Sequence, residues 1–453
     1  MAESKPDISP GRLSPAAIER NFADLHPPLS KSEALIAADR CYFCFAAPCT
    51  AACPTGIDIP RFIQSIRSGD IEGAAHTILS ENILGGMCAR VCPTEILCEE
   101  ACVRNVHEDK PVDIGLLQRH ATDPILDAGT QLFARAASSG KRIAVVGSGP
   151  AALSCAHRLA CLGHAVTIFS RDGKLGGLNE FGIAAYKTVE DFAQREVRYV
   201  LGIGGVEVRT DVVLGRELSL DRLRCEHDAV FLAIGLAGVN RLGLESEDKP
   251  GVIDAVQYIA ALRQAADKSR LPVGRRIVVI GGGMTAIDIA AQSRRLGAEE
   301  VTIVYRRGQQ QMGASRYEQD LAQRDGVRVK HWARPTRILG DGHVTGVEFE
   351  YTREGSDGRL EGSGEHFTLA ADVVFKAVGQ ELALDTAMEA NSQLRMDKGR
   401  IVVDANRRTS IENVWAGGDC VLGGQDLTVA AVQDGKLAAL AIDRYLKTGR
   451  AQS

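Results

Sequence analysis

Eight of the twelve cysteines lie between Cys41 and Cys102, in two runs of four. The first reads Cys41-x2-Cys44-x4-Cys49-x3-Cys53, with Pro54 next. The second reads Cys88-x3-Cys92-x5-Cys98-x3-Cys102, with Pro93 after Cys92. Packing alone does not call for thiols at this density, whereas iron–sulfur clusters and zinc select soft thiolates held close together. Zinc usually takes two short Cys-x2-Cys knuckles across a longer spacer. Irregular runs of four favour iron–sulfur, and a Cys-Pro closure marks a run whose last thiolate binds the other cluster. Two closures predict two [4Fe–4S] clusters with crossed ligation.

A disulfide framework belongs to small secreted chains, and this one has 453 residues. Residues 1–14 are polar with no apolar centre, so they do not read as a signal peptide, and no apolar run reaches membrane-spanning length. The expected compartment is therefore the reducing cytoplasm. A formal charge of −5 with 25% charged residues gives no basic footprint for nucleic acid.

In chain order, residues 1–30 read as a polar, proline-containing arm. Residues 31–139 read as a helical cluster domain. Ile59 to Arg67 and Ile71 to Ser80 carry apolar residues at helical spacing, divided by Ser68-Gly69-Asp70, and a further helix is expected from Ile114 to Ala121. Asp127 to Gly140 is a linker. Lys141 to Val146 then reads as an apolar strand, followed by Gly147-x-Gly149-x-x-Ala152 at the start of a helix. This is the dinucleotide fingerprint in its strand–turn–helix setting, where glycines let backbone N–H groups approach a pyrophosphate.

The pattern recurs as Gly281-x-Gly283-x-x-Ala286 after the strand from Arg276, with Thr285 inside the turn. Val166-Thr-Ile-Phe169 is echoed by Val301-Thr-Ile-Val-Tyr305. The strand ending at Gly235 is echoed by the one ending at Gly379. Three paired segments in one order predict two related nucleotide-binding domains. At the second strand's end an acid would bind ribose hydroxyls and an arginine would accept a 2′-phosphate. The first domain has Ser170 there. The second has Arg306 and Arg307, which either bind a 2′-phosphate, stack on adenine or face solvent. Gly417-Gly418-Asp419 and the helix from Thr428 close a flavin domain. Asp419 is placed to bind a ribityl hydroxyl, and the helix offers its positive end to the flavin. No Cys-x2-Cys or Cys-x4-Cys lies where a flavin-linked disulfide would.

The fingerprints, the Ala-x-Gly strands and Gly417-Gly418-Asp419 resemble the glutamate synthase small-subunit-like flavoproteins. The cysteine field is similar to the N-terminal half of dihydropyrimidine dehydrogenase and to the flavoprotein subunit of its bacterial NAD-dependent form, over residues 31–453. The resemblance implies that Cys41, Cys44, Cys49 and Cys102 hold one cluster, and that Cys53, Cys92, Cys98 and Gln118 hold the other, with Cys88 a spectator. It implies FAD contacts at Gly147, Gly149, Ala152, Gly176, Gly177, Lys187, Gly235, Gly418, Asp419 and Thr428. It also implies a partner, an FMN-containing barrel subunit that reduces uracil and thymine.

The expected architecture is α/β. An α-helical bis-[4Fe–4S] domain precedes two Rossmann-like domains, an FAD-binding one at 140–250 and 372–453 and an NAD(P)-binding one inserted at 251–371. Electrons would pass from NAD(P)H through FAD and two clusters to the partner. Alternatives are a glutamate synthase small subunit, a stand-alone NAD(P)H:ferredoxin-type reductase and a non-enzymatic cluster scaffold.

Overall fold

The computed structural model describes residues 8–382 and 393–449. They form two compact units. One comprises His26–Glu180, Glu190–Ala237 and Leu382–Ser453, and the other Met1–Leu25, Phe181–Val189 and Gly238–Glu381.

The first unit begins with helices whose starts are written in the sequence. Ser30 and Glu33 form a reciprocal cap before the helix Lys31–Asp39. Asp58 caps Ile59–Arg67, with Pro60 in its first turn, and Asp70 caps Ile71–Glu81. In Ile59–Arg67 the buried residues are Ile59, Phe62, Ile63 and Ile66, one face of a 3.6-residue repeat. They meet Ala34, Ile78, Leu117 and Ala121, and Cys41, Cys49, Cys53, Cys98 and Cys102 pack against this same core. The helix expected from Ile114 continues through Pro124 to Ala128, where Gly129 ends it at φ 65°.

The rest of this unit is a five-stranded parallel sheet in the order Val414–Ala416, Ala229–Leu232, Arg142–Val146, Ala165–Phe169, Val206–Arg209. The fingerprint strand lies at the centre. Its helix, Pro150–Cys161, packs against the C-terminal helix Thr428–Thr448. A Cβ at Gly435 would lie 2.2 Å from the Ala151 carbonyl oxygen, so that close approach requires glycine.

The second unit repeats the plan. Its parallel sheet runs Arg328–His331, Glu300–Tyr305, Arg276–Gly281, Val373–Ala377, Val252–Asp254. The Val373 strand occupies the place of the Ala229 strand, beside the fingerprint strand. An antiparallel three-stranded sheet, Ala333–Leu339, Gly346–Glu354 and Leu360–Ala370, takes the position of a helical crossover.

Several boundaries differ from expectation. The N-terminal stretch groups with the second unit as far as Leu25. Ile8–Ser9 pairs with Val273–Gly274, and the helix Pro15–Asn21 with the turn after it buries Ile18 and Phe22 in the second unit's core. Two apolar residues four apart are enough to dock a short helix, and a polar average hides them. The insert begins at Gly238 and ends at Glu381, not at 251 and 371, because Gly238–Val239 pairs antiparallel with Gln380–Glu381. Phe181–Val189 also belongs to the second unit. The cluster helices group with the first sheet and do not form a unit of their own.

Candidate flavin, nucleotide and cluster sites

Cys41, Cys44, Cys49 and Cys102 line one pocket together with apolar Ile59 and Ile63. The first run thus shares a pocket with a thiol from the end of the second, an arrangement that suits crossed ligation. Phe43 and Ala47, between Cys41 and Cys49, have φ of 52° and 39°, an uncommon conformation for side chains other than glycine. It lets a loop of nine residues turn Cys41, Cys44 and Cys49 to one pocket.

Burial pushes the Cys49 thiol up to about 11, with the Cys41 and Cys102 charges adding to the shift. Cys92 is raised by its hydrogen bond with Cys88, by burial, and by Cys98 and Cys53. Burial, Glu99, Cys53 and Cys49 raise Cys98. Cys53, Cys92 and Cys98 are thus close enough to shift one another, with Cys88 bonded to Cys92 and Cys49 beside Cys98. Thiolates this crowded repel one another unless a cation centre holds them, which suits a soft metal cluster. Among the described residues no three His, Cys, Asp or Glu close to the geometry of a single metal ion. A four-iron cube uses one thiolate per corner and spreads its ligands more widely than one ion does.

The last ligand of the second set has two candidates. Cys88 is buried in the helix Gly85–Val91, one turn before Cys92. Gln118 is buried too, at 8% exposure, although glutamine is mostly a surface residue. Its Nε2 donates to the Gly85 carbonyl at 2.7 Å, which leaves Oε1 as the atom suited to ligate iron.

The fingerprint glycines form two matching cradles. Gly147 has φ 115°, and a Cβ there would lie 2.1 Å from the Ala233 oxygen. Gly281 has φ 149°, with a Cβ 2.1 Å from the Ala377 oxygen. Gly149 and Gly283 stand at the N-termini of their helices, which no side chain caps. Those free N–H groups suit a pyrophosphate. Gly177 crosses Gly149 so closely that a Cβ would fall 2.7 Å from the Gly149 Cα, and Gly176 has φ 124°. Ala152 and Ala286 are fully buried where each helix meets its sheet, with Thr285 in the first turn of the second helix.

At the other edge of the first cradle, Gly418 N donates to Asp434 Oδ2 at 2.9 Å, and Arg407 pairs with Oδ1. Asp419 lies beside Gly235, with Oδ1 3.4 Å from where a Cβ would be. Burial, then Asp426, pushes the Asp419 carboxyl up to about 6. A buried carboxylate of this kind accepts a hydroxyl donor readily. The helix Thr428–Thr448 also starts without a side-chain cap, and Thr428 Oγ1 donates to Asn179 Oδ1 at 2.7 Å. Nothing in its sequence pattern had singled out Asn179. Ser170 Oγ is bonded to Ser148 and to the Asp172 carbonyl, so no acid stands at that strand end.

In the second unit, the Tyr305 ring lies against Gly282 and Asn240 borders Gly379. Arg306 and Arg307 are exposed, and among the described residues neither guanidinium pairs with a carboxylate. Lys187, expected at a cofactor, is ion-paired. It belongs to the second unit, with Nζ 2.7 Å from Asp288 and 2.8 Å from Glu318. Burial opposes its charge, but the two carboxylates outweigh burial and raise its pKa. Its ammonium is held between these two carboxylates.

Two family models match the chain. Residues 141–435 match the pyridine nucleotide-disulphide oxidoreductase model, and residues 18–130 match dihydropyrimidine dehydrogenase domain II, a 4Fe-4S cluster domain. The glutamate synthase [NADPH] small chain of Escherichia coli is 34% identical over 452 residues, 94% of each chain. The NAD-dependent dihydropyrimidine dehydrogenase subunit PreT of Salmonella typhimurium is 35% identical over 430 residues, 95% of this chain and 98% of that one. Among solved structures, Mycobacterium tuberculosis FprA in complex with NADPH is 20% identical with a TM-score of 0.56. That match covers 69% of this chain and 87% of FprA, a likeness of fold. No helix among the described residues is long and apolar enough to cross a membrane.

Proposed function

Because the chain belongs to the pyridine nucleotide-disulphide oxidoreductase family and carries a 4Fe-4S domain before it, we propose that it is the electron-input subunit of a dihydropyrimidine dehydrogenase. It is an oxidoreductase with FAD, NAD(P)H and [4Fe–4S] cofactors. When bound, these supply hydride transfer from nicotinamide to flavin and single-electron transfer through iron–sulfur. The observation that carries the reading is that one chain holds two uncapped glycine cradles and a pocket lined by four cysteines.

In this reading Gly147, Gly149, Ala152, Gly176 and Gly177 hold the FAD pyrophosphate. Asp419 takes a ribityl hydroxyl, with Gly235 and Gly418 giving it room. The free N–H groups from Thr428 face the flavin's electron-rich edge. Gly281, Gly283, Thr285, Ala286 and Gly379 form the nicotinamide nucleotide cradle, and Arg306 and Arg307 receive a 2′-phosphate. Cys41, Cys44, Cys49 and Cys102 ligate one cluster, and Cys53, Cys92, Cys98 and Gln118 the other. No side chain acts as acid or base in the hydride step. Thiolate-borne clusters suit a reducing cytoplasm.

Both named relatives are parts of larger enzymes. The proposed partner is an FMN-containing barrel subunit carrying the pyrimidine site. A second reading, glutamate synthase small subunit, is supported by 34% identity against 35% at almost equal coverage. The test is reconstitution. The chain alone should pass electrons from NAD(P)H to ferricyanide and leave uracil untouched, and added barrel subunit should bring uracil reduction. Uracil reduction by the chain alone refutes the partner. Glutamate formation with the other chain of a glutamate synthase, and no pyrimidine reduction with the barrel, selects the second reading.

A further inference from the structure

One buried cation joins the flavin-side helix to the cluster ligands. Lys436 lies two turns into the helix Thr428–Thr448 and is 9% exposed. Its Nζ donates to the Thr55 carbonyl at 2.8 Å and to the Glu81 carboxylate at 2.7 Å. Thr55, itself buried, is two residues past Cys53, and its Oγ1 lies 3.3 Å from the Cys53 Sγ. If Cys53 is a metal-bound thiolate it has no proton to give, so the Thr55 hydroxyl is the donor. The same face carries a second tie, from Arg158 on the fingerprint helix to the Ser80 carbonyl.

We propose that Lys436 is a positioning residue that sets the reduction potential of the cluster on Cys53, acting through Thr55. The reduced cluster carries one more negative charge than the oxidised one. A hydrogen bond to a ligating sulfur and a nearby buried cation both stabilise that extra charge and raise the potential. Glu81, 45% exposed at its side chain, offsets part of the cation's charge. Removing the two partners should therefore move the potential in opposite directions, whereas a structural pin gives no such sign reversal. The inference rests on Cys53 being a cluster ligand, as proposed above.

The experiment is an anaerobic redox titration of the whole chain, following the one-electron couple of each cluster by electron paramagnetic resonance. Lys436→Met should disfavour reduction about tenfold, a fall of 59 mV for a one-electron couple. Lys436→Arg should recover most of that, and Glu81→Gln should raise the potential. Lys436→Met with lowered thermal stability but the wild-type potential overturns the proposal. If Lys436→Met fails to fold, Glu81→Gln carries the test, since it keeps the Lys436–Thr55 contact, and an unmoved potential there overturns it as well. A wild-type protein with a single cluster overturns the Cys53 assignment, and this inference with it. Two intact clusters with no shift overturn this inference alone.

Discussion

The choice between Gln118 and Cys88 as the last ligand can be decided by two substitutions. Gln118→Leu removes an amide of similar size from a buried site. It breaks the 2.7 Å bond to the Gly85 carbonyl and leaves that oxygen without this donor. An unsatisfied buried acceptor costs about 1–3 kcal/mol, a Tm loss of roughly 2–12 °C for a domain of this size, so the fold survives. The cluster does not escape so lightly. With both cubes filled the chain holds about eight irons. Losing one ligand opens one iron, and the count should fall to about seven, or to about four if the cube collapses. Cys88→Ser places a hydroxyl in a buried site at a cost of about 1–3 kcal/mol and should keep about eight irons. Iron analysis and electron paramagnetic resonance of the reduced variants read the outcome, and NAD(P)H:ferricyanide activity verifies the flavin in each. Eight irons in Gln118→Leu together with cluster loss in Cys88→Ser would falsify the glutamine assignment.

Arg306→Ala should lower kcat/KM for NADPH relative to NADH by about 10- to 150-fold, the worth of a charge-assisted bond of roughly 1.5–3 kcal/mol. An unchanged ratio removes Arg306 as a phosphate ligand. Gly147→Ala drives a Cβ to 2.1 Å from the Ala233 oxygen and should yield protein without FAD. Gly281→Ala meets the equivalent clash at Ala377 and should keep FAD while losing its reduction by NAD(P)H, as absorbance spectra will show. Burial pushes the Glu196 carboxyl up to about 8, against the pull of the Met87 N–H and Arg90. Its folded pKa exceeds the unfolded one, so its stabilising effect is complete below pH 4.5 and is lost as pH rises through about 8. Glu196→Gln should flatten the fall in denaturant midpoint between pH 5 and pH 8, and an identical fall in the variant contradicts this.

What could be read from the sequence was local. The capped helices Ile59–Arg67 and Ile71–Glu81 follow from Asp58, Asp70 and apolar spacing within a few residues. The two glycine cradles follow because only glycine tolerates those φ angles beside a carbonyl. The expected partition of the thiols rests on the family resemblance, since the spacing alone would use all eight cysteines of the two runs. Long-range pairings were hidden. Lys436 and Thr55 are 381 residues apart, and Lys187 and Glu318 are 131 apart. A lysine on a helix or after a tyrosine shows no sign in sequence of the carboxylate that will bury it. Ile18 and Phe22 were obscured by polar neighbours, and Gln118 by its residue type.

In the proposed function one chain takes electrons from a nicotinamide nucleotide into flavin and on to two clusters. The direct test is anaerobic titration of the purified, partner-free chain with NADPH or NADH, after FAD, iron and acid-labile sulfide have been counted. The account predicts one FAD and about eight irons with matching sulfide. Flavin absorbance should bleach, and paramagnetic signals of reduced [4Fe–4S] clusters should grow with no acceptor protein present. Stoichiometric zinc without labile sulfide, or bleached flavin beside redox-silent cysteines, would contradict it.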